Sequence, residues 1–133
     1  MTLRSLFLAT FFIISLALFF SCSFTKIKTI EPVYTLTLDS ISREINSIII
    51  TPEAGLTGKE IRTNGQTTTE LTINLINSKR LPESDNEQKK IGENIAILIK
   101  NTLKDPNSFT DYKVFFTKRL VDGNMTKSSF VGY

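Results

Sequence analysis

Histidine and tryptophan are absent from this chain, and cysteine occurs once, at position 22. Without histidine, the commonest general base and the commonest metal ligand are both missing. Ser-His-Asp and Cys-His nucleophiles are thereby excluded. One cysteine leaves no intrachain disulfide, so the fold has to be held by packing. No Gly-rich phosphate loop and no Asp-x-Asp-x-Asp-Gly calcium loop is present. We therefore expect no catalytic residue, no cofactor and no metal. Glu83, Asp85 and Glu87 cluster, but they lie where acids complement a helix dipole, and Asp105 and Asp111 merely flank the far end of that helix.

Charge of one sign is also in short supply. Setting aside the first 21 residues removes Arg4 from the 16 basic residues and leaves 15 facing 13 acids. Despite a pI of 9.1, such a balance leaves no electrostatic footprint for nucleic acid.

What the chain does have is a leader. Arg4 stands near the start, no acid precedes Glu31, and 13 of the 15 residues from Leu6 to Phe20 are apolar. This pattern reads as an export signal, against the alternative of a permanent span, which wants about 20 apolar residues. The run ends Leu18-Phe19-Phe20-Ser21-Cys22. That ending resembles the lipobox of bacterial lipoproteins, in which a small residue precedes a cysteine that is diacylated and becomes the new amino terminus. Ser21 and Cys22 match it; Phe19 and Phe20 stand where leucine and a small residue are usual. The resemblance implies lipid on Cys22, and two or three acyl chains anchor firmly where one is marginal. Ser23 follows instead of the aspartate that such proteins use for inner-membrane retention, which implies the outer membrane, facing the periplasm.

The organisation expected is a signal over residues 1–21, a lipidated tether over 22–31 that brings Lys26 and Lys28 near the headgroups, and one domain over 32–133. Tyr34, Leu38, Ile41, Ile45 and Ile48 repeat at steps of four and three and predict a helix over about 33–49, although 33–38 also alternates as a strand would. Pro32 suits the first turn of that helix, and Thr51-Pro52 ends it. Asn64-Gly65 predicts a type I′ turn between a strand over about 57–63 and a clearer one over 67–77. In the latter, Leu71, Ile73 and Leu75 share one face and Thr72 and Asn74 the other. Ser84-x-x-Glu87 is a capping box before the stripe Ile91, Ile95, Leu98, Ile99, Leu103, which Asp105-Pro106-Asn107 stops. Tyr112, Val114 and Phe116 alternate on a third strand, and Asp122-Gly123 turns into a fourth over about 125–131. The order α-β-β-α-β-β predicts an α+β two-layer sandwich: a four-stranded antiparallel sheet with both helices on one face.

Function is expected in binding. On such a sheet Phe115 points away from Tyr112, Val114 and Phe116, with Phe130 near it across the hairpin and Lys113 beside it. This face either receives a ligand or closes a second small core. Lys118, Arg119 and Lys127 around it read as a solvated edge that discourages strand pairing. Asp39-Ser40-Ile41 resembles a bacterial O-glycosylation acceptor, or else begins a helical turn. The reading is a non-enzymatic envelope lipoprotein held at the membrane through Cys22, whose domain binds another envelope protein as an accessory subunit or an inhibitor. A glycan- or small-ligand-binding module is the alternative.

Overall fold

A computed structural model describes residues 24–119 and, for the backbone alone, 125–132. Cys22 and the leader lie outside the described residues, as do the Asp122-Gly123 turn and the side chain of Phe130. The elements are β1 (Thr25–Ile30), α1 (Leu38–Ile48), β2 (Glu53–Thr63), β3 (Gln66–Ile76), α2 (Asp85–Thr102), β4 (Asp111–Arg119) and β5 (Met125–Gly132). They form an α+β fold whose five strands lie side by side in chain order.

Two expectations are corrected. The sheet is mixed: β3 and β4 run parallel, the other neighbours antiparallel. The cause is α2, an 18-residue helix that carries the chain back along the sheet before β4 begins, as a parallel neighbour requires. The segment expected as a tether instead contains a strand. Thr25–Ile30 pairs with Gly58–Thr63, so the order is β-α-β-β-α-β-β. Gly58 makes that pairing close. A Cβ there would stand 2.5 Å from the Ile30 carbonyl and 2.8 Å from the ring of Phe109, which is itself buried.

The first helix starts later than the apolar period predicts. Thr37 is its cap, accepting a hydrogen bond from the Ser40 amide at 3.3 Å, so Asp39 does begin a helical turn. Residues 33–35 are spent on the end of α2. The Thr35 amide and hydroxyl both donate to the Thr102 carbonyl, at 2.8 and 2.9 Å, and Lys104 donates back to Val33. Carbonyls at a helix end need such partners, and an extended stretch after Pro32 can supply them. α1 ends where Ile49 turns extended, and the Asn46 side chain accepts from the Thr51 amide at 2.7 Å.

Asn64 and Gly65 both have positive φ, 51° and 84°, as a type I′ turn demands. Ser84 caps α2 by position, but its hydroxyl makes no cap bond. Gln88 reaches back instead, its side-chain amide donating to the Pro82 carbonyl at 2.7 Å. The core lies between the helices and one sheet face. Ile41 and Ile45 of α1 and Ile95 and Ile99 of α2 pack with Leu71, Ile73, Leu75, Val114 and Phe116, all buried. Both helices therefore cover the same face, as the alternation of β3 predicts.

Candidate functional site

Three places bear on function: the sheet face away from the helices, the groove at the start of α2, and the groove at the sheet's β1 edge.

On the open face, strand parity sets Glu70, Thr72, Asn74, Lys113, Phe115 and Thr117 together. Most of them are engaged with one another. Lys113 forms an ion pair with Glu70, whose carboxylate is almost fully buried and also accepts from the Thr72 hydroxyl at 3.1 Å. Thr117 donates to the Asn74 side chain at 2.6 Å. Phe115 points away from the core as expected and is half-buried; Phe130 is its register partner on β5. The sequence-predicted trio thus shares one hairpin, and within it Lys113 balances a buried carboxylate. At the rim, Arg119 meets Glu53 through two contacts of 3.2 and 3.5 Å.

At the second place, Asn77, Ser78, Leu81, Glu83, Asp85 and Lys118 help to line a groove of about 550 Å³. Asn77 and Arg80 adopt the left-handed backbone there, with φ of 56° and 58°. Asn77 ties β3 to β4, since its side chain accepts from the Arg119 amide at 2.9 Å. The Ser78 hydroxyl is buried without a hydrogen-bond partner among the described residues. Glu83, Asp85 and Glu87 are exposed, and the latter two occupy the first turn of α2. Asp105, at the other end, accepts from the Asn107 amide at 2.9 Å and so shapes the turn that follows. Among the described residues no set of three or more Cys, Asp or Glu side chains is placed to hold a metal.

Sequence reasoning missed the third place. Where β1 leaves the sheet, Tyr34, Leu38, Ile41, Ile45, Ala54 and Leu56 line a groove of about 320 Å³, with Glu31 and Pro32 at its side. The Tyr34 hydroxyl is buried without a hydrogen-bond partner among the described residues. Burial, with Tyr112 beside it, pushes its pKa up to about 12. Tyr112 is raised too, by burial and then by Asp105. Leu38, on the lip, is 62% exposed. The apolar period of Tyr34, Leu38, Ile41 and Ile45 is visible in the sequence, but nothing there joins it to Ala54 and Leu56 of β2.

Exposed apolar side chains are concentrated in the amino-terminal part of the described chain. Of the seven large ones among the described residues, five fall within residues 24–38: Phe24, Ile27, Val33, Leu36 and Leu38. No helix among the described residues is long and apolar enough to cross a membrane. Compared with family models, with curated proteins and with solved structures, the chain finds no match in any of the three.

Proposed function

We propose that this protein is a non-enzymatic envelope lipoprotein, anchored through lipid on Cys22, whose domain binds another protein of the envelope. It serves there as an accessory subunit or as an inhibitor, at the outer membrane and facing the periplasm. The observation that carries the reading is the crowding of exposed apolar side chains into residues 24–38. Apolar exposure concentrated in one segment supports an interaction surface, and this segment begins two residues after Cys22. At about 3.3–3.6 Å per extended residue, Ser23 and Phe24 hold β1 close to the bilayer surface. A partner would therefore be met at the membrane.

The glycan-binding alternative draws less support. It needs the open face, where Lys113 is committed to Glu70 and Thr117 to Asn74.

Tagged full-length protein recovered from its own membranes, beside a Cys22→Ala variant, tests the proposal. Intact mass should show two or three acyl chains on the wild type, with one partner protein recovered in fixed ratio and lost from the variant. A wild-type polypeptide that keeps its leader and carries no lipid contradicts the anchoring. Lipidated protein recovered alone contradicts the partner.

A further inference from the structure

We infer that the groove at the β1 edge is a peptide-binding site: it takes a short extended segment of another polypeptide, added to β2 in line with β1. This rests on the protein-binding reading above and gives that reading a location. The inference comes from the sheet's main-chain accounting. β2 has 11 residues, but β1 pairs only with Gly58–Thr63. Glu53–Thr57 therefore have β3 on one side and no strand on the other among the described residues. The two-residue turn makes Thr63 and Gln66 a hydrogen-bonded pair. Counting back in twos, Thr57 and Gly55 also direct their main chain toward β3. Leu56 and Ala54 direct theirs outward, along the row that β1 occupies further on.

Among the described residues that row holds no strand, because the chain leaves it. Pro32 has no N–H to contribute to a ladder, and residues 33–35 turn to the end of α2. The opening spans five residues, roughly 17 Å at strand spacing, which is the length of an ordinary strand. Unpaired edge donors and acceptors are a template for another polypeptide; a lipid surface cannot satisfy them in alternation. Side chains add selectivity. Leu56 and Ala54 face the helices, so one side chain of an added strand would meet Tyr34, Leu38 and Ile41 in the groove. An aliphatic residue suits that lining, the Tyr34 hydroxyl offers a donor, and Glu31 beside it disfavours acidic segments.

Photo-cross-linking of the full chain in its own cells tests this. A benzophenone amino acid is placed singly at Leu38, Thr57, Ile97 or Phe115, and linked peptides are identified by mass spectrometry. Leu38 and exposed Thr57 flank the added strand from opposite faces of the sheet. Both should link to one short segment of another protein, while Ile97 on α2 and Phe115 on the open face should not. Adding Leu38→Asp should reduce the Thr57 link at least tenfold. Leu38 is exposed at the first position of α1, where an acid is tolerated, so this variant keeps the fold. Ala54→Pro, which removes an outward N–H at the open strand edge, should have the same effect.

Protein links confined to Ile97 or Phe115 would overturn the groove while leaving a protein-binding domain. Links from Leu38 and Thr57 to lipid, or to a second copy of the chain, would also overturn it. No protein link from any position would overturn both readings. The mass of the same sample reports acylation of Cys22 separately.

Discussion

β1 and β3 lie two places apart in one sheet and are held by different means. In β3, Leu71, Ile73 and Leu75 are fully buried under the helices, and the strand has a partner along both edges. In β1, five of six residues are exposed, with Lys26 and Lys28 on the helix side and Ile27 on the other. β3 is made by its own apolar alternation; β1 exists because β2 offers it a ladder and Gly58 lets it approach. The difference separates what holds the molecule together from what it presents. The core is concentrated on β3, β4 and the helices, and most of the exposed large apolar side chains fall in residues 24–38.

The largest expected effect lies on the β3 side. Ile95→Ala removes a fully buried side chain of α2 and should cost about 2–5 kcal/mol in urea unfolding. On the β1 side, Gly58→Ala should cost about 1–3 kcal/mol, because the new methyl meets the Ile30 carbonyl as well as a ring. Hydrogen exchange should show the β1 amides freed first in that variant, with those of Leu71–Leu75 still protected. Equal loss in both strands would erase the distinction. Lys113→Met should cost about 1–3 kcal/mol, since it leaves the buried Glu70 carboxylate without its cation. No loss of stability would return Lys113 to the role of a binding residue.

The smallest effect is one of pH. Folding favours the neutral phenol of Tyr34, whose pKa is about 12 against an ordinary 10.0. A raised pKa contributes stability that is complete below pH 10 and disappears as pH climbs toward 12. Tyr112 acts in the same direction. Unfolding midpoints measured from pH 9 to 12 should fall through that window, and Tyr34→Phe should flatten the decline.

Much of the interior was legible from the sequence because its signals are local. The β3 alternation, the Asn64-Gly65 turn and the Ile95–Ile99 stripe each predicted its element. The capping box placed the start of α2, yet the Ser84 hydroxyl makes no cap bond, a geometric detail that residue types do not encode. β1 escaped because alternating lysines at 26 and 28 resemble a solvated tether when neither face is buried. The parallel pairing escaped because turn signals fix only strands joined by short hairpins, not the direction in which α2 returns the chain. The candidate site was the least legible. Parity sets Phe115 and Lys113 on the open face, but there the lysine is paired with Glu70. The β2-edge groove joins residues as far apart in sequence as Tyr34 and Leu56, and only the departure of the chain at Pro32 opens it.

The most direct measurement compares amide exchange of the full chain with and without any protein that co-purifies with it. The proposed binding surface predicts added protection at residues 24–38 and at the Ala54 and Leu56 amides, with none across Asp111–Arg119. Protection of Asp111–Arg119 alone, with residues 24–38 unchanged, would contradict it and move the binding surface to the open face.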